Sequence, residues 1–186
     1  SRLAPFPWDA EESKRHEERL RNLRALVARA RKHGVGVYLY LNEPRTRPLE
    51  FFESRPQLKG IDAANPWESG TATLCTSVPE VQGYLTGAVA HICRAVPDLA
   101  GFFTITASEA LTNCWSHGAG AKCPRCGKRS PAEVIAELNT IYHAGIRQAG
   151  GRSRLIVWDW GWADDWAEGI IHRLPGDTWL MSASEW

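Results

Sequence analysis

No apolar run in the sequence approaches the roughly 18 residues that a transmembrane helix needs, and no stretch reads as a signal peptide. Charge imbalance is missing too. The 22 Lys and Arg residues nearly match the 21 Asp and Glu, for a formal net charge of +1 over 186 residues. No electrostatic case arises for nucleic acid or an anionic membrane as partner. No Gly-x-Gly-x-x-Gly follows a strand-like run and no P-loop is present, which leaves nucleotide binding unsupported. A Gly-x-Ser-x-Gly elbow is also missing. No repeat, low-complexity tract or linker divides the chain, so residues 1–186 read as one domain. The five cysteines cannot all pair within one chain. The chain starts at Ser1 without Met and stops at Trp186 just after an apolar run, and reads as a piece of a longer protein. A signal region can therefore lie outside it, and only a zinc-loaded cysteine loop would point to the cytoplasm.

What the sequence does have is ordinary globular composition, 44% hydrophobic and 23% charged, with nine Trp. Several of these Trp fall at strand ends, where flat indoles suit either packing or the stacking of sugar rings. Asp9 and Glu12 predict a capping box, followed by Leu20, Leu23, Val27 and Ala30 at helical spacing. The charge run around it, ESKRHEERLRNLR, reads as that helix's solvated face. Val35–Leu41 reads as a strand, and Thr71–Cys75 as a second. Ser77 and Glu80 are the predicted caps of the next helix, which carries Val81, Leu85, Val89 and Ile92 on one face and ends before Pro97. Gly101–Ala107 is the third strand. Ser130, Pro131 and Glu133 mark the clearest helix start. RLIVWDW is the fourth strand, WADDWAEGIIHRL a short helix, and DTWLMSASEW holds the fifth strand. Near-continuous apolar strands separated by helices predict an α/β fold with parallel strands covered by helices. A doubly wound sheet and a partial (β/α)8 TIM barrel both fit that order.

In parallel α/β folds the chemistry sits at the carboxyl ends of the strands. Four of the five predicted strands run into an acid there: Asn42-Glu43, Ser108-Glu109, Asp159 and Glu185. Trp158, Trp160 and Trp162 surround Asp159, and Trp186 follows Glu185. Carboxylates among indoles suit glycosidic bond cleavage, in which one acid protonates the leaving oxygen and a second group attacks or stabilises the oxocarbenium-like centre. Apolar walls raise the pKa of the acid so that it holds its proton at neutral pH. Glu109, Asp159 and Glu185 are thus the candidate catalytic residues. Asn42, Glu43, Arg45, Ser108, Trp158, Trp160, Trp162 and Trp186 are the candidate substrate contacts.

A loop insertion over residues 113–130 holds Cys114, His117, Cys123 and Cys126, with spacing C-x2-H-x5-C-x2-C. Two close pairs of soft ligands suit a closed, structural zinc. A disulfide from Cys114 to Cys123 or Cys126, or unligated thiols, are the alternatives. No catalytic cofactor is implied. Cys75 and Cys93 stand alone in apolar contexts and read as small buried hydrophobes. His33 lies near a helix C-terminus, while His91 and His143 lie within helices and read as packing or surface residues rather than ligands.

The segments LCTSVPEVQGYL, VPDL, GFFTITASEALTNCW and CPRC, followed by LIVWDW and WLMSASEW, resemble the centre of glycoside hydrolase family 20, the β-N-acetylhexosaminidases. By order of elements the resemblance covers roughly residues 35–186. It implies a (β/α)8 barrel of which this chain holds about strands two to six, the remainder lying elsewhere in the full-length protein. It also implies that Glu109 is the general acid and Trp158 a wall of the sugar pocket. The family's acid follows an Asp that steers the substrate's own acetamido group as nucleophile, and here that position is Ser108. A serine supplies no charge, so Asp159 or Glu185 is expected to provide the second carboxylate, or else the substrate lacks an acetamido group. The expected function is a glycosidase acting on a β-linked, N-acetylated or plain sugar of an oligosaccharide or glycoconjugate. A non-catalytic carbohydrate-binding barrel and an α/β domain with another hydrolase chemistry are the rival expectations.

Overall fold

The computed structural model describes residues 3–108 and 110–183. Glu109, Glu185 and Trp186, three of the predicted site residues, lie outside the described residues. A short helix α1 (Ala10–Ser13) precedes α2 (His16–Arg31), whose Leu20, Leu23 and Val27 are buried as the helical spacing predicts. The one long helix expected from Asp9 onward is thus two. Asp9 Oδ1 accepts from the backbone of Glu11, the Asp9 half of the predicted box, while the Glu12 side chain lies outside what the structure describes; Ser13 Oγ accepts from the backbone N–H of Phe6 and binds the turn back on itself.

Strand β1 (Tyr38–Leu41) follows, then the short strands β2 (Arg47–Pro48), β3 (Lys59–Asp62) and β4 (Thr71–Leu74). Helix α3 (Pro79–Ala95), strand β5 (Gly101–Ile105), helix α4 (Pro131–Gln148), strand β6 (Arg154–Trp158), helix α5 (Asp164–Ile171) and strand β7 (Trp179–Met181) complete the order. β1, β5, β6 and β7 form a parallel sheet in that spatial order. The protein is therefore α/β with parallel strands and covering helices, as predicted. Among the described residues the sheet is open, with β1 and β7 at its edges.

The predicted strand at Thr71–Cys75 forms, but in a different place from the one its order implied. β4 pairs antiparallel with β2 and β3 in a separate three-stranded sheet. The reason is the connection. Parallel pairing of β4 beside β1 would need a crossover, usually a helix of a dozen residues or more. Between residues 42 and 70 the chain makes only 3-10 turns and the short strands β2 and β3.

The predicted caps of α4 are both present: Ser130 Oγ accepts from Glu133 N, and the Glu133 carboxylate accepts from Ser130 N. The predicted cap of α3 is not. Its N-cap is Val78, and Ser77 and Glu80 have other partners, given below. Helices α3, α4 and α5 cover one face of the parallel sheet, where Phe102, Leu155 and Val157 are buried among Leu85, Val89, Leu138, Tyr142 and Ile170. Removing a fully buried ring leaves a void that the neighbours fill only partly. Phe102→Ala is therefore expected to cost about 3–5 kcal/mol, read as a lower urea midpoint.

The opposite face is open. Tyr40, Phe103, Ile156 and Trp158 alternate with the buried set and are half-buried or exposed. β7 is exposed throughout, with Trp179 at 52%. A parallel sheet is ordinarily covered on both faces, so this aromatic face is surface that the helices leave uncovered. Among the described residues no helix is long and apolar enough to cross a membrane.

Candidate functional site

The parallel register brings the predicted strand-end residues to one edge. Leu41 pairs with Thr104 and Ile105 with Trp158. Asn42 is one step beyond Leu41, so Asn42, Ile105 and Trp158 share one row on the open face. Along this face the rings of Tyr40, Phe103, Trp158 and Trp160 form a continuous series with successive centroids 6.0, 5.5 and 5.1 Å apart. Tyr40 and Phe103 were not among the predicted contacts. The period-two alternation in YLYL and GFFTI is the signal that carried them.

The polar groups at this edge are partly satisfied. Asn42 is 7% exposed and donates through Nδ2 to the Tyr40 hydroxyl at 2.8 Å, while its Oδ1 is covered and finds no partner. Trp158 Nε1 is likewise covered and unpartnered. Such orphans are rare in folded proteins and call for an explanation. Asp159 continues the sheet pairing through its N–H to Met181 O at 3.1 Å, and its carboxylate accepts from the Ser182 hydroxyl. Glu43 accepts from Arg45 N at 3.1 Å, and its carbonyl takes the hydroxyl hydrogen of Tyr142. Burial, reinforced by Glu43, pushes the Tyr142 phenol well above its ordinary value, so it remains a donor. Tyr142 thereby ties α4 to the turn that carries Glu43. Glu43 and Arg45 also border a hollow of about 580 Å³ at the free edge of β1, with Leu3, Tyr40, Ile92 and Phe102.

Trp162 parts from the other indoles. It is 9% exposed, packs in the helix-side core and donates to Thr106 Oγ1 at 3.3 Å. The turn that separates it from Trp160 depends on Gly161. Its φ is +79°, and a Cβ there would lie 2.3 Å from Ala107 O and 3.1 Å from Ser108 Cα. Gly161→Ala therefore meets both backbone strain and a steric clash. The expected cost is about 2–3 kcal/mol, seen as a fall in Tm, with the backbone before residue 109 displaced.

That backbone is held from several sides. The Thr106 carbonyl accepts from Thr112 Oγ1 at 2.8 Å, from Ser116 Oγ at 3.3 Å and from Asn113 Nδ2. The Ser108 carbonyl accepts from His117 Nε2 at 2.6 Å. His117, predicted as a metal ligand, is thus engaged with the residue before Glu109 and does not join the cysteines.

Cys75 takes the place predicted for His117. Its Sγ lies 3.8 Å from Cys123 Sγ and 3.6 Å from Cys126 Sγ. The sulfurs of Cys75, Cys114, Cys123 and Cys126 all fall within 4.8 Å of one another, and the four residues are buried. All five cysteines are free thiols, so the alternative of a Cys114 disulfide is not what this arrangement contains. Cys75 follows β4, so it reaches the cluster only because β4 left the parallel sheet. The cluster has a polar jacket: Arg125 Nε donates to Cys75 Sγ at 3.3 Å, Ser77 Oγ lies 3.3 Å from Cys126 Sγ, and Thr73 Oγ1 lies 3.7 Å from Cys114 Sγ. Ser77, one residue before the Val78 N-cap of α3, also accepts from Arg129, and Glu80 accepts from Trp8 Nε1 at 2.7 Å. Hydrogen bonding within the cluster splits the four thiols: Cys75 and Cys123 are pulled down, each chiefly by Cys114, while Cys114 is pushed up, chiefly by Cys123, and Cys126 is pushed up as well. Space at the cluster is tight: a Cβ on Gly60 would lie 2.7 Å from Cys114 Sγ. Cys93 lies apart, buried, with its thiol pushed up by burial, in accord with its reading as a small hydrophobe. A buried group of four cysteines can hold a metal ion.

Compared with known proteins, the chain matches no family model, and no curated protein sequence matches it.

Proposed function

We propose that the open, aromatic face at the carboxyl edge of the parallel sheet is the sugar-binding and catalytic side of a glycoside hydrolase related to family 20, within a barrel completed by the rest of the full-length protein. The observation that carries this reading is the pair of orphaned groups, Asn42 Oδ1 and Trp158 Nε1, set in one row along a series of four neighbouring aromatic rings that includes Trp158, with Asp159 next in the chain. A sugar ring has the matching features: an apolar C–H face for the indoles, and hydroxyls that both donate and accept. In this reading Glu109, three residues past the described Thr106, protonates the glycosidic oxygen. Asp159 is the second carboxylate, oriented by Ser182, with Glu185 the other candidate. Ser108 offers no charge for an acetamido group, so the second carboxylate does the work that the substrate does in family 20. The test is a titration of the protein with β-linked N-acetylglucosamine and glucose oligosaccharides, followed by tryptophan emission. A saturable shift that Trp158→Ala abolishes is expected. No shift with either series would remove the carbohydrate reading, catalytic or not.

We further propose that the cysteine cluster holds one structural zinc. Zinc binds thiolate sulfur at about 2.3 Å, which sets the sulfur–sulfur edges of a tetrahedron at about 3.8 Å. The distances of 3.8 and 3.6 Å from Cys75 to Cys123 and Cys126 fit that figure. The donors Arg125 and Ser77 suit the outer shell that orients thiolate ligands. With four protein sulfurs the site is closed and has no position for a reacting water. Its role is to join the antiparallel sheet, through Cys75, to the loop that follows residue 109, through Cys114.

A further inference from the structure

We propose that His16, Glu17 and His91 form a second metal site, separate from the cysteine cluster and open to solvent, for a divalent transition metal at the contact of α2 with α3. One donor atom from each residue lies within 4.8 Å of the others. His16 Nε2 is 3.1 Å from Glu17 Oε1, close to the roughly 3.3 Å that separates two donors around a zinc bonded at about 2.0–2.1 Å. His16 Nδ1 is 2.6 Å from the Ser13 carbonyl, so it carries a hydrogen and donates it there. This is how metal-ligating imidazoles are commonly fixed, with the far nitrogen held by a backbone carbonyl.

An ion pair between protonated His16 and Glu17 would account for those two residues alone. It does not account for His91. The two imidazoles are only 5.7 Å apart, centroid to centroid, and His91 Nε2 is covered with no partner. A cation on His16 would leave His91 unsatisfied and press a positive charge against it. A metal ion gives lone pairs on both imidazoles and on the carboxylate a common partner. Burial, followed by His16, lowers the pKa of His91. Arg24 and Arg94 also act on His91 as nearby positive charges. They disfavour hard cations held mainly by charge, so two imidazoles and one carboxylate select zinc, nickel or copper over magnesium or calcium. Three protein donors leave a position for water or an exogenous ligand. His91 also borders a hollow of about 340 Å³ lined by Pro5, Tyr84 and Arg94.

The probe is zinc added to protein already supplied with one equivalent. The readout is the ring proton and nitrogen resonances of the histidines, which do not depend on whether the cysteines are loaded. The expected result is saturable shifts of His16 and His91, with His33, His143 and His172 unmoved. His91→Gln should abolish them, and Glu17→Gln should weaken the affinity by roughly tenfold or more. Should His91→Gln perturb the fold, His16→Gln, at the start of α2, serves the same purpose. The absence of saturable shifts, or shifts that persist in both histidine variants, overturns the site.

Discussion

Cys75→Ser is expected to purify without the one zinc per molecule proposed for the parent chain, and to lose its cooperative melting transition or melt far lower. The size follows from what zinc does in small folds. Its binding is worth on the order of 10 kcal/mol or more to the folded state of zinc-finger peptides, against a total stability of about 5–15 kcal/mol for a typical domain. Here the helix-covered sheet has its own core, so the loss falls first on what the cluster joins: the antiparallel sheet and the loop over residues 106–130. Serine keeps the shape but offers a poor ligand, and leaves three buried thiols around a gap. The companion variant His117→Ala is the discriminating one. It should retain whatever zinc the parent holds, because His117 bonds to Ser108 and stands outside the cysteine cluster. Metal analysis after purification without chelator decides both. Parent protein free of zinc removes the proposal. Zinc kept in Cys75→Ser and lost in His117→Ala would restore the C-x2-H-x5-C-x2-C set.

Glu109→Gln is expected to lower the hydrolysis of unactivated β-linked oligosaccharides by about 10²–10⁴, the usual contribution of a general acid. Nitrophenyl glycosides need little help in leaving, so their loss should be much smaller. That contrast marks a lost proton donor and not a damaged fold. Asp159→Asn should instead lower both substrate types, because attack or charge stabilisation at the anomeric carbon is needed whatever the leaving group. Ser182→Ala, which removes the hydroxyl that donates to Asp159, is expected to fall between. Equal losses on both substrates in Glu109→Gln would exclude the acid role. A parent protein that binds oligosaccharide and hydrolyses none would leave the non-catalytic binding reading in its place.

The residues of this site were legible from the chain in unequal measure. Asn42, Glu43, Ser108 and Asp159 could be read because each follows a β-branched and aromatic run, and in a parallel sheet that position alone sends a residue to the carboxyl edge. Trp162 could not. It is two residues past Trp160, and only the positive φ of Gly161 turns it from the open face into the core. Tyr142 was seen as part of an apolar helix face, but its hydroxyl reaches Glu43, 99 residues away. His91 read as a packing residue because its neighbours along α3 are apolar. His16, which gives it a chemical partner, comes from another helix.

Local chemistry determined most elements of this protein by itself: the capping box that starts α4, the apolar spacing of α2 and α3, and the strands that end on acids. Each depends on residues a few positions apart, whose energies do not await the rest of the chain. Tertiary structure decided which sheet β4 joins, and with it the fourth sulfur of the cluster. Cys75 and Cys123 are 48 residues apart. They meet because no helix follows β1 to carry the chain back beside it, so the chain folds into a hairpin sheet and delivers Cys75 to the loop. The spacing Cys-x2-His looked complete because it was local, and the true fourth thiol came from a strand whose pairing no local pattern could state.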